Sequence, residues 1–594
     1  MPTLDFKGKQ FVYAHHLTVP FRQLDIDVKK SLPVKGQAPN LDDNLIIHGD
    51  NLHALKALLP KYAGKVKCIY IDPPYNTGNE GWCYNDNVNA ALIKEWLKKS
   101  ANPVDKEDLE RHDKWLCMMW PRLQLLKELL ADDGFIFISI DENEHHSLKS
   151  IMTEIFGEDN FISEFVWHSF GHSDNQYEVK TNHEYILSYC KNPQEASLAN
   201  VVDPNTRKES NLWKGYAENS ITKNGPKNPA SIIELPAGFP CKTASLMLKK
   251  TAVLKSFFSE IESLGYISRD ITKKYAVDYP IRLDDMAAKN GKLSSPCRVF
   301  SGWANANKLK AFIDNKCKPI KEKNGDKISF FLSENGVVYY HRERDAAKNI
   351  VSVLQNMGTT EKMRADLESI GLEFQYPKPI QLIEYLVKIS GAESGDTVLD
   401  SFAGSGTTGH AVLSINQKEQ KEIKFILVEC EDYAEEKTAK RIKLNIEGVK
   451  EASEQYLRLP LTGSFTYCDL GNEINIENLL KGNNLPSYEE LARYAFYTAT
   501  GQTLDKVKQG TDFFIGETDH YRVHLLYQPD EKYLRSNESA LNMPLAERIT
   551  KSRKDSKKKS LVFATQKFMG QKELTDMGII FCQLPYAIHR VVGD

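Results

Sequence analysis

Cysteines are scarce in this 594-residue sequence, and they are not spaced for metal binding. The ten cysteines include no Cys-x-x-Cys pair. Zinc sites and disulfide frameworks normally need such clustering, so both are disfavoured and no metal is expected. Scattered free thiols are typical of proteins in a reducing cytosol, and we expect a cytoplasmic location.

Long apolar runs are also missing. No stretch of about 18 consecutive apolar residues occurs, and the segment 1–7 has no apolar signal core, so we expect no membrane partner. The charges nearly cancel, because 77 Lys and Arg face 80 Asp and Glu for a net charge of −3. A protein that coats nucleic acid is strongly basic, so a DNA partner would have to meet a local basic surface.

The most informative segment is Asp72-Pro73-Pro74-Tyr75. It follows an apolar run, 66–71, that predicts a buried strand. The prolines fix the backbone and carry no N–H, so the carbonyls beside them are left to accept hydrogen bonds from a ligand. The Asp72 carboxylate and the Pro73 carbonyl would accept the two N–H groups of an exocyclic amine, and Tyr75 would stack on its ring. The alternative is a strand-ending turn capped by an aspartate.

Such a segment suits methylation of an aromatic amine. The amino nitrogen of adenine or cytosine is a weak nucleophile, because its lone pair is delocalised into the ring. Two hydrogen-bond acceptors draw this nitrogen toward a tetrahedral state and stabilise the positive charge that develops during attack. The segment therefore favours an amino-methyltransferase.

A second segment predicts a nucleotide-binding loop. The apolar run 397–400 predicts another buried strand, and a glycine-rich turn and a helix start follow it. Gly404, Gly406 and Gly409 let the backbone approach a ligand closely, and they satisfy the dinucleotide pattern G-x-G-x-x-G. The segment nearly matches a P-loop, but His410 stands where the P-loop lysine is required. This substitution excludes ATP hydrolysis at the loop.

A further strand is predicted at 424–429. Its last residue, Glu429, lies about one βα unit after the glycine-rich turn, where an acidic residue binds the hydroxyls of a ribose in dinucleotide sites. The alternative is a plain surface carboxylate at a strand end, because Glu431 and Asp432 lie beside it.

Together these segments resemble the beta class of DNA amino-methyltransferases, which use S-adenosylmethionine. The segment 72–75 matches the catalytic tetrapeptide of that family and 402–406 matches its cofactor loop, in the permuted order of the beta class. The core resemblance covers residues 41–190 and 377–446. It implies an α/β fold with a doubly wound, Rossmann-like core that depends on S-adenosylmethionine.

The resemblance also implies individual roles. Asp50 belongs to a segment like the family's acidic turn near the cofactor adenine, and Lys378 precedes a helix like the one beside the methionine end of the cofactor. The residues expected in catalysis are Asp72, Pro73, Pro74 and Tyr75. The residues expected to bind the cofactor are Asp50, Lys378, Asp400, Phe402, Gly404, Gly406, Thr407 and Glu429.

A narrower resemblance, to the modification subunits of type III restriction–modification systems, covers nearly the whole chain. The segments that carry it are 72–78, Tyr84-Asn85-Asp86, 140–144 and 463–467. It implies double-stranded DNA as substrate, a homodimer, and a separate helicase–nuclease restriction subunit as a possible partner. Solitary adenine methyltransferases and those of other phage-defence systems share much of the pattern and stay open.

Composition along the chain predicts five regions. Residues 191–376 interleave lysine pairs with aromatic residues such as Trp213 and Trp303, and we expect there an inserted target-recognition domain that contacts phosphates and fills the gap left by an extruded base. For any single residue, a solvated lysine or a core aromatic is the alternative. The expected regions are an N-terminal arm (1–40), the catalytic half of the core (41–190), the insertion (191–376), the cofactor half (377–450) and a C-terminal α+β domain for assembly or DNA contact (451–594).

The C-terminal region shows its own signals. Ser487 and Glu490 predict a helix that begins with a capping box. The apolar segments 561–563 and 579–582 suggest a surface that a second copy of the chain would bury.

The expected function is transfer of a methyl group from S-adenosylmethionine to N6 of a flipped-out adenine in DNA. Adenine is preferred to cytosine because the cytosine-N4 enzymes of the family more often begin the tetrapeptide with Ser. Two other classes stay open. An NAD-dependent oxidoreductase would use the glycine-rich turn but leaves 72–75 unexplained, and a non-catalytic DNA-binding subunit would need a broken active site.

Overall fold

The computed structural model describes residues 3–78, 110–169, 181–321, 327–343, 347–475, 478–479, 485–553 and 556–584. The segment Tyr84-Asn85-Asp86 lies outside these described residues. The chain forms two compact units, one made of Met1–Ala199 with Val351–Asp594 and the other of Asn200–Ile350.

The strands in chain order are β1 (Arg22–Leu32), β2 (Leu45–His48), β3 (Val66–Ile71), β4 (Leu130–Ile140), β5 (Phe161–His168), β6 (His183–Cys190), β7 (Tyr216–Ser220), β8 (Ala230–Leu235), β9 (Ser245–Leu248), β10 (Ile281–Arg282), β11 (Met286–Lys289), β12 (Lys292–Leu293), β13 (Cys297–Gly302), β14 (Ile320–Lys321), β15 (Lys327–Leu332), β16 (Val338–Glu343), β17 (Val353–Leu354), β18 (Thr397–Asp400), β19 (Lys424–Glu429), β20 (Phe465–Glu473), β21 (Phe514–Glu517), β22 (Tyr521–Leu525), β23 (Ala540–Leu541), β24 (Lys559–Ala564), β25 (Gln566–Lys567) and β26 (Ile579–Gln583).

The α-helices in chain order are α1 (Lys9–Val12), α2 (His15–Thr18), α3 (Asn51–Tyr62), α4 (Arg111–Leu129), α5 (His145–Phe156), α6 (Lys255–Leu264), α7 (Arg269–Tyr275), α8 (Ala306–Asp314), α9 (Thr360–Glu368), α10 (Ile380–Ile389), α11 (Thr407–Glu419), α12 (Lys440–Glu447), α13 (Gln455–Arg458), α14 (Tyr488–Thr500), α15 (Glu531–Leu534), α16 (Met543–Ser552) and α17 (Gln571–Asp576).

The first unit is built on one large mixed sheet. Its strand order is β1-β20-β2-β19-β18-β3-β4-β6-β5-β17. The pairs from β20 to β4 are all parallel, and β6 pairs antiparallel with both β4 and β5. The central strands read as continuous apolar runs because helices cover both of their faces, so the predicted strands at 66–71, 397–400 and 424–429 are confirmed.

The chain reverses its direction of travel across the sheet between β3 and β18. From β3 it continues through α4 to β4 on one side, and from β18 it continues through α11 to β19 on the other side. β3 and β18 are parallel neighbours, with Leu399 opposite Ile69. In doubly wound sheets a crevice opens outside the carboxyl ends of such a strand pair, and ligands bind there.

The ends of the chain extend this sheet, which differs from the boundaries expected at 40 and 451. β1 pairs antiparallel with β20, and β20 pairs parallel with β2. Both strands therefore belong to the large sheet of the first unit, with β1 at its edge.

The remaining C-terminal residues pack on the core and form a smaller sheet of β21, β22, β24 and β26. The predicted capping box of α14 is confirmed, with Glu490 N donating to Ser487 Oγ at 3.2 Å and Ser487 N donating to Glu490 Oε2 at 2.9 Å. The apolar segment 561–563 is buried in β24, and Ile579 and Cys582 of β26 are buried as well. These residues serve the fold of the chain itself, so they offer no exposed assembly surface.

The second unit is made mainly of antiparallel strands. Its sheets have the orders β10-β13-β8, β12-β11-β9 and β14-β15-β16-β7. It is narrower than the expected insertion of 191–376, because β17 already pairs with β5 of the first unit and Ala199 N donates to Ile389 O. Trp303 is a core residue rather than a candidate for base contact, since it is 4% exposed and donates from Nε1 to Ser231 O at 2.8 Å. Trp213 is 51% exposed.

Within the described residues, none of the helices is long and apolar enough to cross a membrane.

Candidate active site

The predicted site residues meet at one edge of the core sheet. They are the last residues of β18 and β19, residues of the loops after β2, β3 and β18, the first residue of α11, and Lys378, which lies just before α10. Because these four strands are parallel, their carboxyl ends share an edge. The sheet topology thus gathers segments that lie more than 300 residues apart, and Lys378 to Asp72 spans 306 positions.

Asp72 is the first residue after β3 and is held by Lys378. The Lys378 Nζ donates to Asp72 Oδ2 at 2.8 Å. The same Nζ lies 3.3 Å from Glu184 Oε2 and 5.0 Å from the centroid of the Tyr75 ring. Lys378, which the sequence predicts at the cofactor, therefore contacts Asp72 and Tyr75 of the tetrapeptide as well.

The Tyr75 hydroxyl completes this cluster. It lies 2.9 Å from Asp72 Oδ1 and 2.7 Å from Glu184 Oε2. Glu184 is near the start of β6, which runs antiparallel to β4, so this residue lies at the same edge as the carboxyl ends of the parallel strands. Asp72, Tyr75, Glu184 and Lys378 form what we call the quartet.

The protonation of the quartet follows from its charges. Burial alone would lower the pKa of Lys378, but the carboxylates of Asp72 and Glu184 outweigh it and raise that pKa above its ordinary value. Burial, with the same two carboxylates, raises the pKa of Tyr75 well above its ordinary value. Lys378 is therefore a cation, and Tyr75 a neutral phenol, throughout the neutral pH range.

The loop of the tetrapeptide is fixed on both sides. Trp115 Nε1 donates to the Pro74 carbonyl at 2.7 Å. Asn76 adopts a left-handed conformation with φ 62°, and its Nδ2 donates to the buried Glu144 Oε1 at 2.5 Å. Among the described residues, no hydrogen bond reaches the Pro73 carbonyl. This oxygen has the position and the chemistry of an acceptor for a ligand.

The loop after β18 passes close to its neighbours with its backbone. Gly404 and Gly406 have φ values of 51° and 82°. A Cβ at Gly404 would lie 3.3 Å from Phe374 Cζ, and one at Gly406 would lie 3.2 Å from Thr438 O. Both glycines are therefore required by conformation and by space, as expected for a loop that cradles a ligand with its backbone.

Asp400 holds this loop from below. It is 2% exposed, its Oδ1 accepts from Phe402 N at 3.0 Å, and its Oδ2 accepts from Thr408 Oγ1 at 2.5 Å. Burial raises the pKa of Asp400 to about 7. The first residue of α11, Thr407, is buried beside the same loop, and its Oγ1 donates to Lys378 O at 3.2 Å.

Glu429 ends β19 and points back to the glycine-rich loop. Its Oε2 accepts from Gly404 N at 2.7 Å and its Oε1 accepts from Glu431 N at 3.0 Å. At 5% exposure it is not a plain surface carboxylate, which excludes the alternative considered for it. Burial raises the pKa of Glu429 to about 7.

Asp50 caps α3 on the loop beside Glu429. Its Oδ1 accepts from Leu52 N at 2.9 Å and from His53 N at 3.3 Å, and Arg122 lies 3.4 Å from its Oδ2. Gly49 N donates to Glu429 O at 2.9 Å, so the two acidic loops are adjacent. Two carboxylates beside a glycine-rich loop are suitable acceptors for the hydroxyls of a nucleoside with a free ribose. In the parts of the chain that the structure describes, no His, Cys, Asp and Glu residues are grouped to hold a metal ion.

Comparison with known proteins shows the family to which the chain belongs. A family described as DNA methylase matches residues 66–441, which include both the tetrapeptide after β3 and the loop after β18. The chain belongs to the DNA methylase family. With the sheet topology described above, this membership gives the α/β fold of S-adenosylmethionine-dependent methyltransferases, as the sequence predicted.

Three relatives illustrate the range of this family. The chain is 31% identical to the Mod subunit of the type III restriction–modification enzyme EcoP15I of Escherichia coli, over 66% of this chain and 60% of the relative. It is 30% identical to the EcoPI Mod subunit of Escherichia phage P1, over 73% of this chain and 64% of the relative. It is 28% identical to the type II methyltransferase M.KpnI of Klebsiella pneumoniae, over 64% of this chain and 79% of the relative. The chain thus spans less than two thirds of the length of the two Mod subunits.

Two site residues were missed from the sequence. Glu184 was not among the predicted site residues, because no local pattern marks a carboxylate that reaches two distant partners. Arg441 is fully buried behind the cofactor loop, where its NH1 donates to Ser405 Oγ at 2.6 Å and to Thr407 Oγ1 at 2.8 Å. Burial lowers the pKa of Arg441 to about 10, so the side chain remains charged at neutral pH. An arginine at the second position of an amphipathic helix, as Arg441 is in α12, carries no signal that distinguishes it from a solvated one.

Proposed function

We propose that this protein transfers a methyl group from S-adenosylmethionine to N6 of adenine in DNA. The observation that carries the proposal is the Asp72 carboxylate, which is held by Lys378 beside the Pro73 carbonyl, one strand away from a glycine-rich loop backed by two acidic residues. An acceptor pair for an aromatic amine and a nucleoside-binding loop thus share the crevice at the centre of the sheet.

In the proposed reaction the chain provides acceptors rather than a strong base. The Asp72 carboxylate and the Pro73 carbonyl accept hydrogen bonds from the two N6–H groups, while the Tyr75 ring stacks on the adenine. The N6 lone pair would form the new bond to the methyl carbon while the sulfur–methyl bond breaks and leaves its electron pair on sulfur, and one N6 hydrogen would then pass as a proton to the Asp72 carboxylate and on to solvent. Positive charge grows on N6 during attack, and the fixed negative charge of Asp72 stabilises it.

The bound S-adenosylmethionine would supply the methyl group from its sulfonium centre. Gly404 and Gly406 have φ values of 51° and 82°, and this glycine conformation lets the backbone of the loop turn around the cofactor. Glu429 would accept hydrogen bonds from its ribose hydroxyls, and Asp50 would lie beside its adenine. Phe402, Asp400 and Thr407 shape the loop around it, and Lys378 joins this loop to the tetrapeptide through Thr407.

Reaching N6 in a duplex requires that the adenine leave the base stack. We infer that the base is flipped into the crevice and that the unit Asn200–Ile350 reads the target sequence. Exposed basic and aromatic side chains of that unit, Trp213 among them, support this assignment, because phosphate contacts and stacking need both residue types.

The likeness to the two Mod subunits supports a place in a type III restriction–modification system. The chain would then act as a homodimer in the cytoplasm and join a separate helicase–nuclease subunit. The likeness to M.KpnI, 79% of which is covered, supports a solitary methyltransferase instead. Light scattering of the purified protein distinguishes these arrangements, because a monomer with full activity contradicts the dimer.

The test of the function is a methyl-transfer assay on unmethylated duplex DNA with a matched pair of variants. Asp72→Asn keeps the size of the side chain but removes its charge, and we expect the rate to fall by about 10²–10³-fold. Asp132→Asn alters a carboxylate that is 64% exposed in an ion pair with Lys191, and it should leave the rate unchanged. Calorimetry should show that both variants bind S-adenosylmethionine as the wild type does.

Two results would refute the proposal. Wild-type activity in Asp72→Asn would remove the catalytic role of the tetrapeptide. Tight binding of NAD to the wild type, without binding of S-adenosylmethionine, would favour an oxidoreductase.

A further inference from the structure

Glu184 contacts two other members of the quartet, Tyr75 and Lys378, and has no role in the function proposed so far. Its Oε2 lies 2.7 Å from the Tyr75 hydroxyl and 3.3 Å from Lys378 Nζ. Its side chain is 21% exposed. A partly buried carboxylate of this kind costs desolvation energy, so its presence beside a second carboxylate calls for a reason.

The hydrogen bonds of the quartet cannot all form at once. Tyr75 has a single O–H, but two carboxylate oxygens lie within reach, Asp72 Oδ1 at 2.9 Å and Glu184 Oε2 at 2.7 Å. Asp72 Oδ2 already accepts from Lys378. If Tyr75 donated to Asp72, the phenol would use part of the acceptor capacity of Oδ1 and make this oxygen a weaker acceptor for an incoming amine.

We propose that Glu184 is a positioning residue that takes the Tyr75 hydrogen and so leaves Asp72 Oδ1 to accept from the substrate amine. This inference rests on the proposed function of the same site. The shorter of the two distances supports it, since the phenol lies closer to Glu184 than to Asp72. Lys378 strengthens the arrangement by contacting both carboxylates, which fixes their separation.

The test uses Glu184→Gln in two backgrounds. Glutamine keeps the shape and an acceptor oxygen but loses the charge, so it competes less well with Asp72 for the phenol hydrogen. In the wild-type background we expect kcat to fall about tenfold, with the KM for S-adenosylmethionine and for DNA within about twofold of the wild type. In the Tyr75→Phe background no phenol hydrogen remains to be placed, and the same substitution should cost less than about threefold.

The matched control is Glu164→Gln on the neighbouring strand β5. Glu164 is 27% exposed and pairs with Lys149 at 2.8 Å, so it resembles Glu184 in burial and pairing but lies outside the quartet. It should keep the wild-type kcat. Thermal unfolding of all variants checks that each is folded.

Three results would overturn the inference. They are a wild-type kcat in Glu184→Gln, an equal loss in both backgrounds, and a loss confined to the KM for S-adenosylmethionine. A wild-type protein that transfers no methyl group would contradict the proposed function and this inference with it, whereas an active wild type with a fully active Glu184→Gln variant contradicts the inference alone.

Discussion

The buried carboxylate of Glu429 should make the protein less stable as the pH rises. Burial raises the pKa of this group from 4.5 to about 7 in the folded chain. Each pKa unit corresponds to about 1.4 kcal/mol, so ionising Glu429 in the folded state opposes folding by about 3 kcal/mol. The folded state holds its proton between pH 5 and 7 while the unfolded state has lost it, and the free energy of unfolding therefore falls across this range.

Glu429→Gln should remove this part of the pH dependence. Glutamine cannot ionise, so between pH 5 and pH 8 the variant should lose up to about 3 kcal/mol less stability than the wild type. The two hydrogen bonds from Gly404 N and Glu431 N lower the pKa of Glu429, but their effect is smaller than that of burial, so the pKa remains raised. The variant should also bind S-adenosylmethionine more weakly at pH 8, where Glu429 is ionised, because a carboxylate accepts hydrogen bonds from ribose hydroxyls more strongly than an amide does.

The assay is urea denaturation of the protein without ligand at pH 5 and pH 8. Glu422→Gln is the matched control, because Glu422 is an exposed carboxylate before β19 that is not among the charges acting on Glu429. It should keep the pH dependence of the wild type. Equal pH dependence in the wild type and Glu429→Gln would refute the reasoning, and so would a wild type that gains stability relative to this variant as the pH rises.

Three other substitutions test the site and its support. Gly404→Val places a β-branched side chain at φ 51° and next to Phe374, so calorimetry should show binding of S-adenosylmethionine weakened at least tenfold in a folded protein. Arg441→Met leaves two buried hydroxyls behind the cofactor loop without their donor, and urea denaturation should show a loss of about 2 kcal/mol or more. Ser487→Ala removes the capping box of α14 and should cost about 1 kcal/mol in the same measurement, with unchanged methyl transfer.

The parts of the fold that the sequence predicted are those with strong local signals. Val66–Ile71, Thr397–Asp400 and Lys424–Glu429 are apolar runs that end at an acidic residue or a turn, and their bounds agree with the prediction. Because each run leads into a functional loop, most of the candidate site could be inferred together with its strands.

The parts that the sequence did not predict depend on distant contacts. β1 is mostly polar and half exposed, and only its pairing with β20 shows that it belongs to the core sheet. Trp303 lies in a segment whose lysines and aromatic residues suggested DNA contacts, but its side chain packs into a hydrophobic core formed by the surrounding strands. Glu184 and Arg441 become functional candidates only once the fold brings them to Tyr75 and to the cofactor loop.

The most direct test of the central claim is to identify the product. Purified protein is incubated with unmethylated DNA and S-adenosylmethionine that carries a deuterated methyl group, and the digested nucleosides are analysed by mass spectrometry. The proposed function predicts deuterated N6-methyladenine that is strongly reduced with Asp72→Asn. Deuterated N4-methylcytosine would contradict the choice of base, and the absence of any deuterated nucleoside would contradict methyl transfer to DNA.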